Sequence, residues 1–207
     1  LPGGVDVHTH LDWDFGVART VDTFGTGTQA AAFGGTTTVI DFCNQTRGQS
    51  PLLGLEDWHR RAASACVDVG AHMIMLDVND QSLADMQTLI AREGVTSFKL
   101  FMAYPGVLML DDGALFKAMR LAGRHGAMIC VHAENGQVIQ VLVEEAVAAG
   151  QVGPKYHSLT RPPSMEGEAT HRAITIAALA ETPLYVVHLS AREALRAVAE
   201  ARDAGLP

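Results

Sequence analysis

Cysteine is scarce in this chain: Cys43, Cys66 and Cys130 are the three present, at irregular spacing. That excludes a disulfide framework and a CxxC zinc knuckle. Positive charge is short as well. A net charge of −8, with no long basic segment to offset it locally, excludes nucleic acid and anionic membrane as partners, because both require a basic face. No apolar run approaches the roughly eighteen residues of a membrane span, and no signal-peptide pattern or low-complexity tract occurs. A cytoplasmic protein is expected. Also missing is a phosphate-cradling loop. Neither GxGxxG nor GxxxxGK[ST] is found, and the GTG at 25–27 is too short and falls in a helical pattern.

What is there has a regular rhythm. Short β-rich runs, VDVHT (5–9), TTTVIDF (36–42), AHMIMLD (71–77), TSFKLFM (96–102), MICVHAE (128–134) and LYVVHLS (184–190), alternate with segments of helical period. The helical segments include TFGTGTQAAAFG, LEDWHRRAASA, LADMQTLIARE, GALFKAMRLAGRHG and GEATHRAITIAALAE, the last stopping before Pro183. Strand, helix, strand in repetition predicts parallel strands joined by right-handed crossovers. A (β/α)8 barrel of the TIM type needs eight such units and about 250 residues, whereas about six are counted here. An open doubly wound sheet is the competing architecture, disfavoured by the missing phosphate loop. The chain opens just before a strand and stops at AGLP, where a seventh strand would be due. The expectation is therefore one domain, 1–207, forming part of a barrel.

Catalytic side chains of such barrels gather at the C-terminal ends of the strands. The first strand offers His8 and His10, two apart and so on one face, with Asp6 one layer deeper. The fifth offers His132 and the sixth His188. HxH alone is a weak signal, and any one of these histidines could be a core residue satisfied by a neighbour. Four imidazoles converging from three strands suit a borderline cation such as Zn²⁺. His59, His125 and His171 fall in helical segments, where surface or packing roles are expected. His72 is placed at the start of the third strand, the stability end of a barrel, and His157 in the loop KYHSLTRPPS.

Lys99 stands out by its surroundings, SFKLFMAY. A bare ammonium in so apolar a strand would cost several kcal/mol unless paired or deprotonated. Burial and nearby cations both depress a lysine pKa, and a neutral amine reacts with CO₂ to give a carbamate. Such a group has two anionic oxygens, one for each of two metal ions. A lysine snorkelling to a polar rim is the alternative.

With these residues in view, the chain resembles the dinuclear amidohydrolases and, among them, the dihydropyrimidinase or hydantoinase family. The pieces that carry the resemblance are GGVDVHTHLD, AAFGGTTTVIDF, SFKLFMAYPG, VHAENG, RPPSMEGEATHRAI and VVHLSA, spanning 3–191. The resemblance implies an enzyme of pyrimidine degradation that hydrolyses cyclic amides to N-carbamoyl amino acids. It implies two Zn²⁺ ions, one held by His8 and His10, the other by His132 and His188, with N6-carboxylated Lys99 bridging. Tyr104 would hydrogen-bond the substrate carbonyl and its developing oxyanion. Leu11, Trp13, Phe15, Val107 and Leu108, on the segments LDWDFGV and AYPGVLML, would shape an apolar pocket. A small cyclic ureide as substrate and a homotetramer are further implications. The family's aspartate at the eighth strand, its later substrate-holding groups and its flanking β-sandwich are expected outside these residues. The alternatives are an allantoinase or dihydroorotase type, a mononuclear deaminase type without the bridge, and a non-catalytic dihydropyrimidinase-like scaffold.

Overall fold

A computed structural model describes residues 1–16 and 18–207 of the chain. Its elements run β1 (Gly4–Thr9), α1 (Phe24–Phe33), β2 (Thr36–Asn44), α2 (Pro51–Ala62), β3 (Asp68–Ile74), α3 (Asp80–Arg92), β4 (Ser97–Phe101), α4 (Asp112–Arg124) and β5 (Met128–His132). Three helices then follow in succession, α5 (Gly136–Ala148), α6 (Lys155–Leu159) and α7 (Pro163–Ala180), before β6 (Leu184–Val186) and α8 (Arg192–Asp203). The six strands form one sheet in sequence order, every neighbouring pair parallel. This is the curled, partial (β/α) barrel that the alternating pattern implies.

Local chemistry explains most of the boundaries. Asn79 starts α3 with a capping box shared with Ser82, and Asp111 starts α4 by accepting from the Ala114 amide at 2.7 Å. Ser50 caps α2, where Pro51 takes the first helical position and gives up no needed amide. β3 begins earlier than the run AHMIMLD suggests, because Asp68, Val69 and Gly70 pair with Thr38, Val39 and Ile40 of β2. Pairing with a long neighbour overrides the poor strand propensity of Asp and Gly. His72 is consequently not at the strand's start but its fifth residue, on the inner face. There its Nε2 donates to the Val7 carbonyl (3.0 Å) and its Nδ1 accepts from the Ser97 hydroxyl (2.6 Å). His157 likewise lies in the short helix α6 rather than in a loop.

The pleat sorts side chains into two layers. Phe98, Leu100, Met73, Met75, Ile129 and Val131 face outward and join Met86, Leu89, Leu115 and Met119 of the helices in the main core. Phe42, Ile74 and Phe101 face inward as a second, smaller cluster, joined by Trp13, Leu76 and Leu108. Lys99 shares the inner face with Phe101. The edge strands have a neighbour on one side only, so Asp6 of β1 is exposed rather than tucked into a deeper layer. At the other edge, α7, α8 and β6 border an apolar cavity of about 950 Å³ that includes His188 and Leu189 but none of the other residues expected in the site.

One close approach fixes the β5 loop to the β4 loop. The Gly136 amide donates to the Met102 carbonyl at 3.2 Å, and a Cβ on Gly136 would stand 2.6 Å from Ala103 Cα. Backbone cannot yield as a side chain can. Gly136→Ala in the full protein should therefore lower stability by about 1–3 kcal/mol, read as a drop in the urea midpoint.

Candidate active site

The inner faces of β1, β4 and β5 and the turn after β6 bring His8, His10, Lys99, His132 and His188 together. His8 and His10 meet through their Nε2 atoms at 3.2 Å. His132 Nδ1 faces His188 Nε2 at 3.1 Å. The two pairs adjoin, with the His8 and His188 ring centroids 5.8 Å apart. Among the described residues no three His, Cys, Asp or Glu side chains group as a ligand set on their own. The imidazoles stand as two couples.

Lys99 lies among them, 2% exposed, with its Nζ 5.1 Å from the Phe101 ring centroid and 5.7 Å from that of Phe42. No carboxylate pairs with it among the described residues. Burial pulls its pKa down to about 7. Its charge in turn presses on the histidines. Burial first, then neighbouring His8 and Lys99, push His10 down to about 3. Burial, His132 and Lys99 push His188 down to about 4, and His8 is lowered by burial and Lys99. These rings are held neutral, the state in which imidazole binds a metal.

The donor set fits zinc. Two nitrogens bound to one tetrahedral Zn²⁺ at its usual bond length stand about 3.3 Å apart. Both couples come within two tenths of an ångström of that spacing. An N–H···N hydrogen bond has a similar length, but His10 Nδ1 is buried without any partner, unlike the fully satisfied ring of His72. A histidine placed only for packing would not leave a buried ring nitrogen unused.

Carboxylates steady the His8/His10 and His132 positions. Asp41 of β2, on the outer face, accepts from the Thr9 hydroxyl (2.9 Å), the Leu11 amide (2.8 Å) and Trp58 Nε1 (3.3 Å). It thereby pins the strand end between His8 and His10, and burial raises its own pKa to about 6. Glu134 accepts from His132 Nε2 at 2.8 Å, which assigns the proton to that nitrogen and frees Nδ1 to face His188. That hydrogen bond holds the Glu134 pKa low. The Arg161 Nε, buried and without a hydrogen bond, stands 3.8 Å from the same carboxylate. Sequence reasoning assigned Asp41, Glu134 and Arg161 no role. The signal for Glu134 was its spacing of two from His132; nothing local marked the other two.

Tyr104 sits at the mouth with left-handed backbone (φ 65), its ring centroid 5.2 Å from that of His132. Its carbonyl accepts from the amides of Val107, Leu108 and Met109, which fold the loop under it. Burial and Glu134 raise its pKa, keeping the phenol protonated. Trp13 and Leu108 pack on the inner cluster as the pocket expectation requires, and Phe15 lies on Trp13 at 4.4 Å. Leu11 does not join them. It packs into the outer core, against Gly27 of α1, because the alternation that turns His10 inward turns its neighbour outward. Val107 is largely exposed, and Val17, the last residue of the segment LDWDFGV, lies outside the described residues. His59, His125 and His171 are exposed on or beside helices, as expected.

A parallel barrel whose strand ends carry a histidine set of this kind has a donor set suited to metal ions. The sequence agrees: residues 1–161 match the model of the Amidohydrolase family, and the chain belongs to that family. It is 53% identical over its whole length to 44% of a D-hydantoinase of Streptomyces coelicolor. It is 48% identical, also over its whole length, to 44% of a D-hydantoinase of Geobacillus stearothermophilus. The crystal structure of a dihydropyrimidinase from Brevibacillus agri superposes with a TM-score of 0.97 at 50% identity, covering all of this chain and 45% of that one. The chain thus spans less than half the length of the relatives it matches. No helix among the described residues is long and apolar enough to cross a membrane.

Depressed histidine pKa values have a consequence for stability. Folded His10 and His188 titrate below an unfolded histidine, so between about pH 4 and 6.5 the unfolded chain binds more protons. Stability is therefore fully present above the unfolded value and falls as pH drops through that window. The urea midpoint of metal-free protein should decline from pH 6.5 to 4, and a His10→Ala/His188→Ala variant should show a flatter profile.

Proposed function

We propose that these 207 residues are the metal-holding part of a cyclic amidohydrolase that opens hydantoin or dihydropyrimidine rings to N-carbamoyl amino acids. The observation that carries the reading is Lys99: a buried amine with no counter-ion among the described residues, close to His8, His10 and His188, whose pKa values are all lowered. The names of the relatives, D-hydantoinase and dihydropyrimidinase, support the choice of substrate class.

Lys99 in this reading is converted from a misfit cation into an anion. Its neutral nitrogen attacks the carbon of CO₂, one C=O π pair moves to oxygen, and the nitrogen's proton leaves to solvent. The product carbamate has one negative charge shared by two oxygens. His8 and His10 would hold one Zn²⁺, His132 and His188 a second, with the Lys99 carbamate shared between them. When bound, such a pair supplies a water acidified toward neutrality and an electrophile for the substrate carbonyl.

The chain's own groups do the rest. Tyr104, protonated at neutral pH, donates to the substrate carbonyl oxygen and to the charge that develops there, a contact of the kind that contributes a few kcal/mol. Phe42, Phe101, Trp13 and Leu108 dry the chamber, which strengthens every polar contact in it. Glu134 keeps His132 in one tautomer. We place the last two βα units, an acidic proton shuttle and the β-sandwich in sequence outside these residues, and take the complete protein to be a cytoplasmic homotetramer. A net charge of −8 and a small apolar mouth fit a small cyclic ureide and no nucleic acid.

Lys99→Ala in the full-length protein should lower bound zinc from two ions per subunit to one or none. Turnover of dihydrouracil and 5-substituted hydantoins should fall at least 10³-fold, and added short-chain carboxylic acids should restore part of it. Unchanged zinc content and activity would refute the bridge. One zinc per wild-type subunit would point to the mononuclear deaminase type, and none to the scaffold type.

A further inference from the structure

His188 is the residue of the site whose position the sheet does not explain. β6 is only three residues long and pairs on one side, Leu184 to Val186 against Ile129 to Val131 of β5. Continuing that register sets Val187 opposite His132, and strict alternation would give the inner face to Tyr185 and Val187 and turn His188 outward. The backbone reverses instead. His188 has φ 38, a left-handed conformation that is unfavourable for a non-glycine residue and persists only where surroundings enforce it.

The enforcing contacts come from the first turn of α7. Glu166 Oε1 accepts from the amides of Ser190 (2.7 Å) and Ala191 (3.0 Å), and the Ser190 hydroxyl donates to the His188 carbonyl at 2.7 Å. Ala191 is the cap residue of α8, a helix with no side-chain cap, and Glu166 satisfies the amides of Ala191 and of Ser190 before it from another helix. One residue before Glu166 and two after it, the same stretch of α7 grips the opposite loop. The Met165 carbonyl accepts from the Asn135 amide (3.1 Å), and Glu168 Oε2 accepts from Asn135 Nδ2 (2.8 Å). Asn135 follows Glu134, the partner of His132. One turn of helix therefore holds the two loops whose histidines must meet at 3.1 Å.

We propose that Glu166 is a positioning residue for His188: its carboxylate, through Ser190 and Ala191, holds the reversed turn that aims the imidazole at His132. The inference rests on the reading of His132 and His188 as holders of a metal ion. It also assigns a task to the segment RPPSMEGEATHR, which the hydrolytic scheme leaves without one.

The test measures zinc retained by the full-length, zinc-loaded protein against a graded chelator, in Glu166→Ala, Glu166→Asp, Glu166→Gln and His188→Ala variants. Glu166→Gln keeps an oxygen acceptor at the same reach and should stay within about threefold of the parent. Glu166→Ala should lose affinity for one of the two ions by about 10–100-fold, the range of such outer-shell changes. Glu166→Asp, too short to reach the Ser190 and Ala191 amides, should do the same and carries the comparison if the alanine variant does not fold. Urea midpoints of the metal-free variants separate aiming from plain stability. Lowered midpoints with zinc affinity unchanged in Glu166→Ala and Glu166→Asp would overturn the proposal, as would equal loss in Gln and Ala. Should His188→Ala bind zinc like the parent, the metal reading itself fails; should His188→Ala lose zinc while Glu166→Ala and Glu166→Asp keep it, only the role of Glu166 fails.

Discussion

A buried amine without a counter-ion is the constraint on which the site depends. Lys99 occupies the middle of β4, with its neighbours Phe98 and Leu100 fully buried in the core behind it. It cannot swing to solvent without tearing that packing, and among the described residues no carboxylate stands ready to neutralise it. A charged ammonium there would also repel any cation that the histidines gather. The strain is relieved by losing the proton, and burial already brings that within reach of neutral pH. Chemistry on the resulting amine then follows from ordinary nucleophilicity, with no special catalytic device.

The parallel sheet turns that constraint into a site by regular geometry. Alternation sends Lys99 and Phe101 of β4, Cys130 and His132 of β5, and His8 of β1 to one face, at neighbouring levels fixed by register. The outer face is equally specialised. Asp41 reaches back from β2 to tie the end of β1 to Trp58 of α2, so the hydrogen bonds that hold the ligands are kept out of the chamber they line. The turn after β6 and the loop after β5 are both held by α7.

Much of this was legible in the sequence, and the reason is periodicity. Alternating apolar runs marked all six strands, and HxH and Lys99 declared themselves by residue type against that background. What escaped depends on distance along the chain. His72 looked like a strand start because Asp68 and Gly70 are poor strand formers; pairing with β2 decided otherwise. Leu11 looked like pocket wall because its neighbours are. His188 was assigned to the site on the simple picture of a strand end, and it arrives there by a backbone reversal that no local pattern announces.

Charge accounting within these residues points to what must complete the centre. In the proposed reading, two dications bring four positive charges and the four imidazoles bring none to offset them. The Lys99 carbamate contributes one negative charge and an acidified water a second. The carboxylates close by are already committed: Glu134 to His132 and Arg161, and Asp41 to the outer-face network around Thr9 and Trp58. A dry chamber magnifies the remaining imbalance. In that reading the residual positive charge is eased by a further acidic side chain, and the aspartate that the family resemblance implies at the eighth strand has the right charge to supply it. In the same reading, proton transfer to the leaving nitrogen would fall to that aspartate, since burial and Glu134 hold Tyr104 protonated.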